Sequence, residues 1–206
     1  PGGPTGRQVA LKGVQSAQNA EMRARFKREI LVGQRIRHPH VIEVMDAGDL
    51  ENGAPYMAME VLTGLSLGKL IKSDGPQPVA RSLLIFRQML DGLEAVHTAK
   101  VVHRDLKPDN VMVHGARAKV MDFGLAYLSG DVRITDDNLV AGTALYLAPE
   151  AALGQPVDGR ADLYALGLIW YELVAGVRDK LGRATVRGWR AARGGGRFLY
   201  PRGIPE

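Results

Sequence analysis

The 206-residue chain has no cysteine. Disulfides, thiolate metal sites and thiol nucleophiles are therefore excluded, and a reducing, cytoplasmic setting is expected. Aromatic residues are few, at 6%. No long apolar run exists. The longest, 163–177, is short for a bilayer and is interrupted by Glu172, so a central, buried helix is expected there in preference to a membrane span. No signal peptide is visible and Pro1 is not an initiator methionine, so the chain is expected to begin inside a longer protein. Strong basicity of the domain is also lacking. Residues 176–206 carry eight Lys and Arg against two Asp and Glu, so the net charge of +5 belongs to this tail and the rest is close to neutral. A nucleic-acid partner is not expected from such a distribution.

What is present suits a globular domain with a sizeable core, 46% hydrophobic and 24% charged. A short strand is expected from Gln8 to Val14, followed by an amphipathic helix over 20–36 with Met22, Phe26, Ile30 and Leu31 at helical spacing. The segments 38–50 and 54–62 read as strands joined by a turn at Glu51–Asn52–Gly53, and Asp74–Gly75–Pro76 as another turn. Residues 79–99 form a strong helix pattern with Leu83, Phe86, Leu90, Leu93 and Val96 on one face. Short strands are expected at Val111–Val113 and Ala118–Met121, and Met45, Met57, Met59 and Met89 are expected to fill the core. Strands with one helix come first and mostly helices follow, which reads as α+β in two lobes. The tail has a different composition, rich in Arg and Gly, and is expected to be disordered or not the native continuation of the fold.

The densest chemistry lies in "HRDLKPDN", His103 to Asn110. Core segments avoid so many charges because each needs a partner when buried. Phosphoryl transfer requires a positioned hydroxyl, metal-bound phosphates and cations for the developing charge. Asp105 can accept a hydroxyl proton, Lys107 can face the transferred phosphate, and Asn110 offers an amide oxygen to Mg2+. Pro108 stiffens the turn between them. Asp122 follows in "DFG", with Phe123 and with Gly124 for the backbone turn.

"HRDLKPDN" with "DFG" and "APE" resembles the catalytic domain of eukaryotic-type serine/threonine protein kinases, in a bacterial-like form. The resemblance spans about residues 7–176 and implies a two-lobed kinase-like fold, incomplete at both ends: a small sheet lobe and hinge over 1–62, a mainly helical large lobe over 63–176, and the atypical tail over 177–206. It implies that Lys12 of "VALK" holds the α- and β-phosphates, paired with Glu29, and that Met59, Glu60 and Leu62 form the gatekeeper and hinge, with Met112 also lining the ATP site. Asp105 would be the catalytic base, Lys107 the phosphate cation, and Asn110 and Asp122 the Mg2+ ligands. His103, Arg104, Thr143, Glu150 and Asp162 would be structural or regulatory, and Thr135 a phosphorylation site whose phosphate pairs with Arg104.

ATP and Mg2+ are the implied cofactors, and proteins bearing Ser or Thr the implied substrates. No G-x-G-x-x-G precedes Lys12, and the tail does not resemble the helices expected after residue 176. A catalytically incompetent kinase fragment, or a pseudokinase-like binding module, is therefore carried as a second reading. A small-molecule phosphotransferase is a third, disfavoured by Lys107, "GTALY" and "APE". In a version of the chain that carries a glycine-rich loop, Thr135→Ala should lower phosphotransfer in a radiolabelled-ATP assay; unchanged activity would remove Thr135 as the control site.

Overall fold

The structure, a computed structural model, describes residues 8–13, 20–122 and 143–176. They form α+β architecture with two three-stranded sheets. Strand β1 (Val9–Gly13) pairs antiparallel with β3 (Pro55–Glu60), which pairs antiparallel with β2 (Val44–Asp49), giving the order β1-β3-β2. The β2–β3 turn falls where Glu51–Asn52–Gly53 predicts it. Gly53 adopts φ +74° and Asn52 Oδ1 accepts from Ala54 N at 3.0 Å, an Asx turn.

Helix α1 (Ala20–Gly33) crosses this sheet. Only Phe26 and Ile30 of its apolar residues are buried, against Val44 and Met57; Met22 and Leu31 are exposed, so the apolar stripe is narrower than its spacing suggests. Strand β2 is shorter than expected because 38–43 leaves the sheet. Val41 bridges Val120, and the Ile42 and Val120 amides bond to Val120 O and His40 O, each at 2.9 Å. A register shift between Val44 and Asp46 turns Met45 outward, so Met45 is exposed and not a core residue.

The second sheet has the order β4-β5-β6, from Leu65–Ser66, Val111–His114 and Arg117–Val120. Helix α2 (Leu67–Asp74), capped by Ser66 Oγ on Lys69 N, was not evident in the sequence. Gly64 before it has φ +111°, and a Cβ there would lie 2.2 Å from Val113 O, so no larger residue fits.

Helix α3 (Val79–Thr98) and α5 (Gly159–Ala175) build the large core with the second sheet. Ile85, Met89, Leu93, Leu166, Ile169 and Leu173 are at most 1% exposed. The burial is one-sided, because Leu83 of α3 and Leu163 and Tyr171 of α5 are exposed among the described residues. Asp158 caps α5 through Arg160 N, and Gly176 at φ +66° ends it by donating to Glu172 O. A short helix, α4 (Pro149–Ala152), precedes it. Among the described residues no helix is long and apolar enough to cross a membrane.

A third cluster, Ile36, Val41, Ile42 and Val96, joins the small sheet to α3. There α3 comes so close that a Cβ on Gly92 would meet His40 O at 2.8 Å. Ile169→Ala should cost about 2–5 kcal/mol in urea unfolding, because rigid neighbours on α3 cannot fill the hole; a loss under about 1 kcal/mol would show that α5 is not the centre of the core.

Candidate active site

Strand β1 places Lys12, opposite Met57 of β3, where it reaches both Glu29 of α1 and Asp122. Lys12 Nζ lies 2.7 Å from Glu29 Oε1 and 2.8 Å from Asp122 Oδ1. Burial pulls the Lys12 pKa down, but the two carboxylates together outweigh it, so the ammonium holds its proton more tightly than an ordinary lysine. For Glu29 burial is the largest influence, and its pKa stands above the ordinary value although Lys12 lowers it. Ion pairing alone would predict a fall. The rise follows because burial outweighs the Lys12 ammonium, with the like charge of Asp122 adding a smaller push in the same direction.

The segment 103–110 is set by Asp162, in the first turn of α5 and 1% exposed. Asp162 Oδ2 accepts from His103 N at 2.9 Å and His97 Nε2 at 2.7 Å, and Oδ1 accepts from Arg104 N at 2.9 Å. Arg104 sits at φ +64° and Asp122 at φ +55°, left-handed conformations that non-glycine residues hold only against a cost. The buried carboxylate supplies that compensation for Arg104. His103 is fully buried, and its Nε2 donates to Met121 O at 3.1 Å. Burial drives its pKa below the ordinary 6.5, so the ring stays neutral at physiological pH.

Within the loop, Lys107 Nζ approaches Asp105 Oδ2 at 2.8 Å, and Asn110 Nδ2 donates to Asp105 O at 2.8 Å and to Oδ2 at 3.1 Å. The other carboxylate oxygen, Asp105 Oδ1, is buried without a hydrogen-bond partner among the described residues. Met121 N donates to Asn110 O at 2.9 Å, which places Asn110 beside the residue preceding Asp122. With its Nδ2 committed to Asp105, Asn110 turns its amide oxygen elsewhere. Amide and carboxylate oxygens are hard donors that suit Mg2+, which keeps several ligands from water and phosphate. Among the described residues no group of three His, Asp or Glu side chains could hold a metal alone.

The remaining sequence candidates are distributed unevenly. Met59 and Leu62 pack into the cluster between sheet and α3, and Met112 is half-buried on β5 opposite Lys119. Thr143 opens a 3-10 turn over Thr143–Tyr146, and Glu150 lies half-buried in the first turn of α4. Phe123, Gly124 and Thr135 lie outside the described residues, as does the tail over 177–206.

Three participants have partners that the sequence does not mark. His97 shares Asp162 with the loop. Glu172, 4% exposed on α5, accepts from Tyr146 Oη. Lys119 pairs with Glu60. Each partner is 26 to 65 residues away, and no local spacing marks such a pair.

Comparison with known proteins points one way. The protein kinase domain family model matches residues 3–180. Serine/threonine-protein kinase pkn3 of Myxococcus xanthus is 40% identical over 163 residues, 75% of this chain and 30% of its own length. Serine/threonine-protein kinase PknB of Mycobacterium leprae is 36% identical over 187 residues, 87% of this chain and 30% of its own. The chain thus spans under a third of these relatives. The kinase domain of Mycobacterium tuberculosis PknI superposes with a TM-score of 0.63 at 33% identity, covering 82% of this chain and 64% of that one.

The neutral, buried His103 has a pH consequence. Its folded pKa is depressed, so the unfolded chain binds the extra proton first, and stability is present above pH 6.5 and falls as pH drops below it. His103→Phe should flatten the stability slope between about pH 6.5 and 5.5 in urea titrations. An unchanged slope would assign the acid sensitivity to other groups.

Proposed function

The chain belongs to the protein kinase domain family, and on that premise we propose that it carries the ATP- and Mg2+-dependent phosphotransfer centre of a serine/threonine protein kinase. The observation that carries this reading is the convergence of Lys12, Glu29 and Asp122, brought from a strand, a helix and the end of the second sheet to within 2.8 Å of one ammonium. Lys12, steadied by Glu29, would hold the α- and β-phosphates. Asp122 and Asn110 would hold Mg2+, which would supply charge neutralisation at the phosphates. Met59, the backbone of 60–62 and Met112 would line the adenine end.

Asp105 orients the acceptor. Its Oδ2 is held by Lys107 and Asn110, and the carboxylate would accept the proton of a protein Ser or Thr hydroxyl. As the hydroxyl oxygen bonds to the γ-phosphorus, its proton passes to the Asp105 carboxylate, the bond from that phosphorus to the bridging oxygen breaks, and ADP leaves. Lys107, next to Asp105, compensates charge on the moving phosphoryl group. Arg104 would pair with a phosphate on the segment containing Thr135. Thr143, beside the acceptor hydroxyl, and Glu150 belong to the platform that meets a peptide.

Mg2+-ATP at 100 times its Kd should stabilise the chain by about 2.7 kcal/mol by mass action, read as a rise in Tm. Asp122→Asn should remove that rise. Asp105→Asn should leave the rise in place while lowering phosphotransfer to a Ser/Thr peptide by about 100- to 10,000-fold. A chain that melts cooperatively without any nucleotide shift would favour a non-catalytic binding module.

A further inference from the structure

Where β3 ends, the side chain of Glu60 has a task that nucleotide contact through its backbone does not require. Its N–H donates to Glu43 O at 3.1 Å, and its Oε1 accepts from Glu43 N at 2.9 Å. These two bonds close a ring between residues 43 and 60. The same Oε1 receives Lys119 Nζ from β6. Both side chains are largely buried, 15% exposed for Glu60 and 25% for Lys119.

The place of Lys119 matters. Strand β6 pairs with β5 along one edge, with Lys119 opposite Met112. Its other edge bonds to 40–42, through Val120 O, Val120 N and Ala118 O, the last contacted by His40 Nδ1 at 3.0 Å. Asp122 follows Lys119 by three residues. One ion pair therefore pins the strand that runs into 60–62 to the strand that runs into Asp122. Residues 60–62 and Asp122 are the two ends of the proposed nucleotide site, one for adenine and one for the phosphates.

We propose that Lys119 and Glu60 form a latch that fixes the separation of the adenine-reading backbone from Asp122, and that Lys119 is thereby a positioning residue for the nucleotide. The inference deepens the kinase reading and rests on it for its nucleotide half. Without Lys119 the Glu60 carboxylate keeps a single N–H donor in a poorly solvated place and turns toward water. Glu43 N then loses its acceptor, the ring opens, and 60–62 is no longer held at one distance from β6. A brace with only a structural role would lower Tm without touching the affinity for nucleotide.

The test compares the wild-type chain with Lys119→Met, Lys119→Arg, Glu60→Gln and the Lys119→Met/Glu60→Gln double variant. Mg2+-ATP binding is measured by calorimetry, and amide exchange is followed at residues 43, 60 and 62. Lys119→Met should raise the Kd about threefold to tenfold, the range of a partly buried ion pair. Lys119→Arg should restore it, and the double variant should be no weaker than the worse single one. The amides of Glu43 and Glu60 should exchange faster in Lys119→Met and return toward wild type in Lys119→Arg. An unchanged Kd for Lys119→Met, or losses that multiply in the double variant, would overturn the latch, as would unchanged exchange at Glu43 and Glu60. A wild-type chain that binds no Mg2+-ATP would instead remove the kinase reading, and the latch would be decided by the exchange data.

Discussion

The buried carboxylate of Asp162 is the constraint from which the site follows. A carboxylate 1% exposed must be matched by donors, and it finds two of them on consecutive backbone amides, His103 and Arg104. A chain bonded in that way cannot relax at Arg104, so the left-handed conformation is kept immediately before Asp105. His97 binds the same carboxylate from α3. The two helices that make the large core thus also fix the loop that carries the chemistry, and packing energy is converted into positional precision.

From that loop the order spreads through short links. His103 donates to Met121 O, and Asn110 accepts from Met121 N. Both bonds fix the approach to Asp122, whose carboxylate meets Lys12. Lys12 meets Glu29, which α1 holds over the small sheet through Phe26 and Ile30. Each link is a polar contact a few ångströms long between elements that hydrophobic clusters have already brought together. None of these contacts is strong alone. Their arrangement selects one geometry out of the many that the clusters alone would permit.

Sequence and structure agree where the determining information is local and part where it is not. The hairpin at Asn52–Gly53, the helix from Val79 and the cluster His103–Asn110 are written in turn chemistry, periodicity and composition, and each appears in the structure. Helix α2 was missed because eight residues give too few turns for a period to emerge. Met45 was misplaced because a register shift reverses which face a strand residue takes, and the shift leaves no mark in the alternation. The burial of α1 and α5 was overestimated because apolar spacing shows which face could be covered and not how much of it meets a neighbour.

By itself the sequence determined the reactive inventory: an acid, an ammonium and an amide in one loop, a second acid in "DFG", a strand lysine and a helix glutamate. It also determined the absence of thiol chemistry. The tertiary structure alone decided the pairings Lys12 with Asp122, Asp162 with His103 and Arg104, Tyr146 with Glu172, and Lys119 with Glu60. These join residues 26 to 110 positions apart. The reason is physical. Propensity and periodicity act over a few residues, whereas a charge chooses its partner by distance and desolvation, and both exist only after the sheets and helices have packed.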